Sequence, residues 1–496
     1  MYKIILLVVV FFITVIAYGQ ERIGLSTGNY SGINSALINP SAVSGSRYYF
    51  DVNIVGGGVF VFNNAVFLRN EDYALSSFLS KNMEFKTFVD EYDNDRYVEE
   101  YNDTEVRDLN LNTRIIGPSA MLMYGKHTFG IQTGVRSVIS GKNIHYEIAK
   151  FAYEGLDFEP LHNINFIENK DLDISVLNWA EIGAVYSYNL YSRYYDRVDV
   201  GISLKYLLGH SSFYAHFDNM DYVVPNDSTV DIRNMNGEVG FSMPVNYDNN
   251  NYPDGSGLFK GKGLGFDIGF TYTQTEKIQK RYNRFLRFCR QPNIRYKFKF
   301  GVALLDVGYI NFDKNAQVHS YKDVDSYWEG IDDEDFDNVN DMMRRISSKL
   351  YNGDSDASNT NVTSYKVALP SALSIQFDYH YFGSWYINGL LLQGISTNYI
   401  APHRNSVVAV TPRFETSLFE VQIPLSLYDY QHPRVGLSAR LGVFTVGTEN
   451  IGYLMGMKDF NGMDFYFSLK MNISKGNCRG GKDQRCQNYE YGLPRK

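Results

Sequence analysis

The sequence predicts an all-β fold: a transmembrane antiparallel β-barrel of about fourteen strands, with a hatch-like N-terminal segment and long extracellular loops. Three observations carry this expectation. Apolar and polar residues alternate with period two in segment after segment, most cleanly where Phe465, Phe467, Leu469, Met471 and Ile473 interleave with Asp464, Tyr466, Ser468, Lys470 and Asn472. The connections sort by length: short near 125, 194, 382, 416 and 443, long at 63–111, 141–176, 213–260 and 313–362, with 275–293 the one intermediate case. Past residue 19 no run reaches the roughly 18 apolar residues that a spanning helix needs, so a membrane location has to come from strands.

Taken in order, residues 1–19 read as a secretory signal: Lys3, an apolar run from Ile4 to Ala17, and Ala17-Tyr18-Gly19 as the cleavage region before Gln20. Residues 20–46, rich in Gly, Ser and Asn, read as a periplasmic or lumenal hatch segment. The barrel is expected over 47–474, starting with a strand at 47–62 in which Tyr48, Phe50, Val52 and Ile54 oppose Tyr49, Asp51 and Asn53. Residues 63–111 form an acidic connection, with helical character expected around Tyr73–Val89. Its Glu91-Tyr92-Asp93-Asn94-Asp95 cluster lacks the Gly and terminal Glu of a calcium loop and reads as solvated.

A hairpin turns at Gly125-Lys126, with Phe129, Ile131, Thr133 and Val135 on its second strand. Alternating strands follow around 181–188, 198–206, 264–272, 296–304 and 372–379. Six more complete the series: Trp385–Thr397, Val407–Glu415, Leu418–Leu427, Arg434–Leu441, Thr445–Ile451 and Met463–Ile473. Residues 213–260 read as a polar loop, and 313–362 as an acidic loop with a short helix near Asp341–Lys349. The basic stretch Lys277–Arg295 reads as a periplasmic turn rather than a nucleic-acid or anionic-surface site. Residues 475–496 form a polar periplasmic tail, where export would permit a disulfide between Cys478 and Cys486; Cys289 stands alone.

Composition agrees with a membrane barrel. Tyr (40) and Phe (33) suit strands and interface girdles, while Gly (42) suits turns and narrow lumen positions. A net charge of −8 argues against nucleic acid as a partner. The inward phase gives the lumen-lining candidates Asp51, Arg136, Glu181, Lys205, Asp267, Lys297, Lys299, Asp378, Glu420, Arg440, Asp464 and Lys470. Their signs are mixed, which predicts a lumen crossed by ion pairs rather than a single-sign selective pore. No Gly-x-Ser-x-Gly elbow, His-Glu-x-x-His pair or phosphate loop occurs, so no catalytic set, cofactor or metal site is expected and the chain does not read as an enzyme.

Several stretches carry a family resemblance. Asn39-Pro40-Ser41-Ala42 before the first strand resembles the Asn-Pro-Ala entry of FadL/PorV-like fourteen-strand barrels, with Ser where Ala is common. Gly261-Lys262-Gly263-Leu264-Gly265-Phe266-Asp267-Ile268-Gly269 is more specific, as are Gly301-Val302-Ala303-Leu304-Leu305-Asp306-Val307-Gly308, Thr411-Pro412-Arg413-Phe414-Glu415 and Arg440 to Asn450. Together they resemble an uncharacterised family of outer-membrane barrels from Gram-negative bacteria that use type IX secretion. The resemblance implies an integral outer-membrane location, an N-terminal hatch and no settled activity. Two functions are compatible with it: a FadL-like conduit or binder for small hydrophobic solutes, or a PorV-like scaffold that docks secreted or surface proteins. Many relatives append a peptidoglycan-binding domain, and residues 475–496 do not match one.

Overall fold

The computed structural model describes residues 22–68, 98–101, 103–168, 170–193, 195–276, 295–398, 400–455 and 459–474. Within them a closed antiparallel barrel of 14 strands forms. The strands are Tyr48–Asn63 (β1), Arg107–Ile116 with Ser119–Tyr124 (β2), His127–Ile144 (β3), Leu172–Arg193 (β4), Asp196–Asn226 (β5), Gly261–Thr275 (β6) and Tyr296–Phe312 (β7). They continue with Tyr365–Ala368 and Ser371–Phe382 (β8), Trp385–Ile395 (β9), Val407–Glu415 (β10), Phe419–Gln422 and Leu425–Tyr428 (β11), His432–Val435 and Leu437–Leu441 (β12), Phe444–Thr448 (β13) and Gly462–Ser474 (β14). Each strand pairs with its sequence neighbour, and β1 closes on β14 from Tyr48↔Ser474 to Phe62↔Gly462. Closure leaves the sheet without an open edge strand.

Alternation fixes which face is which. Outward positions stay exposed and apolar, as at Phe129 (52%), Leu204 (57%), Leu264 (71%) and Met471 (61%). The inward neighbours Lys205, Gly265 and Lys470 lie inside the barrel. Exposed aromatics ring the short-turn end at Tyr124, Tyr191, Tyr195, Tyr381, Phe382 and Trp385. An apolar belt edged by aromatics is the surface that lipid requires. Among the described residues no helix is long and apolar enough to cross a membrane.

The long connections hold more order than their composition suggests. β5 runs on past the barrel to Asn226, and the strand Thr229–Ser242 returns along it. That strand then pairs with Ala316–Glu329, making a flap above the wall. The sequence reading of 213–260 and 313–362 as loops is corrected here: mixed polar strands with little alternation become strands because a partner lies alongside. Helix Val339–Leu350 packs Met343 and Leu350 onto the flap, and the Asn338 side chain caps it by accepting from Asp341 N at 2.8 Å. The expected signal, the 73–89 helix, the 91–95 acids, the stretch 277–294 and all three cysteines lie outside the described residues.

Candidate functional site

The lumen is built in storeys. The lowest, at the short-turn end, holds residues 22–46 inside the barrel. Pro40–Gly45 forms a short 3₁₀ turn because Asn39 caps it, accepting from Ser41 N at 3.0 Å, and Pro40 occupies the first position. Glycines on the wall leave room for this turn. A Cβ at Gly269 would sit 2.1 Å from Asn39 Oδ1, and one at Gly201 would sit 2.5 Å from the Pro40 carbonyl carbon. Gly32 has φ +57 and lets the backbone approach Asp51, which accepts from Ile33 N at 2.9 Å.

Polar contacts to this segment come from around the wall. Gln422 Nε2 donates to Gly24 O (2.9 Å), Gln376 Nε2 to Ile38 O (2.8 Å) and Arg197 Nη2 to Ser44 O (2.9 Å). Glu449 accepts from Ile23 N at 2.6 Å, and Glu415 accepts from Asn29 N at 3.1 Å. A small polar cavity remains between segment and wall, about 60 Å³, with room for a few waters.

The predicted lumen set falls into these layers. Asp51 pairs with Lys470 (3.3 Å), Glu420 with Arg440 (2.9 Å), and Asp378 with Arg413 (3.0 Å). Lys299 donates to Asn29 Oδ1 at 2.5 Å, and Asp464 is half-buried on the inner face of β14. Lys297 is a correction: it is exposed on the outer face. The β6–β7 register shifts between Gln274↔Phe298 and Thr275↔Tyr296, so Tyr296 turns inward in its place and donates to Asp378. Tyr48 is displaced likewise; a register shift between Tyr48 and Phe50 buries it in the lumen.

The middle storey is an ionic cluster whose centre sequence periodicity misses. Asp306 meets Lys205 (2.7 Å), Arg136 (2.9 Å) and Arg404 (2.9 Å). Lys205 also meets Asp267 at 2.8 Å, and Glu181 binds Arg114 at 2.6 Å. Asp306 has φ 54, a left-handed residue that inserts an extra step into β7. Below it Ala303 and Leu305 are the buried positions; above it Ile310 and Phe312 are. A charged residue in an outward-phase position was the one signal of this bulge. Arg404 comes from the 396–406 connection and had no signal.

Above the ions lies an apolar storey: Leu177, Trp179, Leu207, Ile310, Phe312, Val367 and Leu369, each fully buried. Beside the ion cluster the β7–β8 ladder loses its regular register, although Leu369 N still donates to Gly308 O at 3.0 Å and Ser371 Oγ to Asp306 O at 2.8 Å. Tyr309↔Ala368 and Leu305↔Ala372 pair normally, while Pro370 between them has no N–H to give. Arg404 Nη1 donates to the Pro370 carbonyl at 3.1 Å, so the ion cluster holds this stretch from inside. Higher still, a polar mouth cavity of about 380 Å³ is lined by Lys142, Asp171, Asp173, His216, Asn398 and His403. His216 sits outside the spanning part of the wall. Burial pulls its pKa down, but hydrogen bonds to Asp173 (2.6 Å) and Asp218 (2.7 Å) carry it above the usual imidazole range.

A family model described as a family of unknown function (DUF5723) matches residues 40–449. No curated protein matches the chain. Among solved structures, the chain is similar to the toluene transporter TbuX of Ralstonia pickettii, with 8% identity, a TM-score of 0.37, and 90% of this chain and 94% of that one covered. It is similar to the P. putida toluene transporter TodX at 9% identity and TM-score 0.38, covering 90% and 95%. A FadL homologue of Pseudomonas aeruginosa gives 8% identity and TM-score 0.28, covering 92% and 99%. The barrel assignment rests on the ladder closure and the outward face described above.

Proposed function

We propose that this chain, which belongs to the DUF5723 family by a match over residues 40–449, is an outer-membrane conduit or binder for small hydrophobic solutes. The observation that carries the reading is the apolar storey around Trp179 and Leu207, set inside the lumen between a polar mouth and an ionic floor. A water-filled pore is lined by polar groups, and an apolar layer in its path would obstruct ions and sugars. A small apolar solute would leave water here by displacing some of these packed side chains. Such a solute gains nothing by going on through the ions and residues 22–46. In this reading the irregular stretch of ladder at Pro370 is where a sideways exit into the bilayer would open, with Asp306 and Arg404 as its latch. The solved structures of similar architecture that are described as toluene transporters agree with this reading. Nothing in the described residues or among the similar structures favours a docking scaffold.

Trp179 reports directly on the layer. Titrating the detergent-purified protein with toluene or decanoate is expected to change its fluorescence saturably. The change should vanish in Trp179→Phe, where Trp328 and Trp385 remain, and weaken in Leu207→Asn. A linear response equal in both variants and in sucrose controls would overturn the proposal.

A further inference from the structure

The long-loop end of the barrel carries a second cluster that the lumen does not use. His145 stands at the N-cap of helix Tyr146–Glu154, Glu147 lies in its first turn, and Glu168 ends the short strand Asn165–Glu168. That strand pairs with the extension of β5, Phe166 opposite Tyr222 and Glu168 opposite Met220. His145 (3%), Glu147 (7%) and Tyr222 (9%) are nearly withdrawn from solvent. One ligand-type atom each from His145, Glu147 and Glu168 lies within 4.8 Å of the others.

Proton bookkeeping at the histidine is informative. Its Nε2 lies 3.3 Å from the Lys170 carbonyl oxygen, which can only accept, so Nε2 carries a proton. In the neutral ring the Nδ1 lone pair then points at Glu168 Oε2, 2.6 Å away. Glu168 also meets the Glu147 carboxylate. Three ligand-type atoms therefore converge on one small space. Lys170 offers Glu168 partial compensation, and Lys150 is already held by Glu100 and Glu154.

The second, independent feature is Tyr222. Its hydroxyl is buried and has no hydrogen-bond partner, and it lies within electrostatic reach of both glutamates. A buried phenol without a partner costs roughly 1–3 kcal/mol unless something fills the gap.

We propose that His145, Glu147 and Glu168 bind a divalent cation of the zinc class, with the Tyr222 hydroxyl completing the set. One imidazole with two carboxylates suits zinc, whereas an all-oxygen shell would suit calcium. A histidine that ligates through one nitrogen and donates its other N–H to a backbone carbonyl is the usual outer-shell arrangement of such sites. The ion would tie the helix, the short strand and the β5 extension together beside the mouth. Sequence spacing gave no hint because only His145 and Glu147 are close in the chain.

The test uses Zn²⁺ alone, added to full-length protein in detergent after chelator stripping, with folding checked by heat-modifiable gel migration. Wild type is expected to retain about one Zn²⁺ per chain by elemental analysis. Calorimetric affinity should fall about tenfold or more in H145A and E147Q, and less in Y222F. Zn²⁺ should also slow amide exchange in residues 146–154 and 165–168 of wild type only. Folded wild type without stoichiometric Zn²⁺ would overturn the site. So would unchanged binding in E147Q, which would put the ion elsewhere, for example at Asp171, His216 and Asp218.

Discussion

Asp306 concentrates the chemistry of the lumen in one carboxylate. It holds Lys205, Arg136 and Arg404 at 2.7–2.9 Å while sitting in a left-handed conformation that costs roughly 1–3 kcal/mol. The three cations repay that strain. Asp306→Asn should therefore cost about 3–5 kcal/mol in detergent unfolding, because it strands buried positive charge. A double-mutant cycle with Arg404→Met should recover part of the loss if the pair is coupled as the contact implies. Periodicity located Arg136, Glu181, Lys205 and Asp267 but not their centre, since a bulge breaks the phase that periodicity depends on. Lys297 and Tyr48 moved for the same reason. A one-residue slip exchanges the faces of a strand, and turn chemistry alone did not mark where the slips occur.

Two elements give the barrel its individuality: the inserted segment 22–46 and the flap at the long-loop end. The segment fits because the wall thins to glycine where it passes. Gly269→Val should press on Asn39 and speed amide exchange across 39–45; deletion of 22–46 in a Leu207→Asn background, where the apolar storey is wetted, should raise planar-bilayer conductance, and unchanged conductance there would sink the idea that this segment is a plug. The flap is tuned by His216. Its folded pKa is raised, so its contribution to stability is complete below the unfolded value near 6.5 and lost as pH rises through the folded one. An NMR titration of the His216 ring should give a midpoint above 6.5, and in His216→Ala the flap should lose its pH-dependent stability. The strand order of the barrel was legible because each lipid-facing strand alternates. The flap was not, since strands with both faces polar or covered by a helix carry no such code.

At the scale of the molecule, two solvents shape one chain. Lipid demands the apolar outer face, and the inward face is free to carry ions, glycines and an apolar layer. Ile268, exposed at 52% on the outer wall, illustrates the first demand. Ile268→Arg should cost about 2–4 kcal/mol in bilayers and much less in a detergent micelle. The composition announced the outer face, through abundant aromatics and the alternation of Phe465 to Ile473. It could not announce the apolar storey, because the pair Leu177 and Trp179, Leu207, and Phe312 come from three different strands and meet only on closure.

The most direct measurement is intact mass spectrometry of the protein purified natively in mild detergent, together with everything bound to it. A small apolar or amphipathic molecule should accompany the folded barrel and be released in Leu207→Asn. Folded barrels that carry only bulk lipid in both forms, or a stoichiometric protein and no small ligand, would contradict a lumen built for hydrophobic solutes.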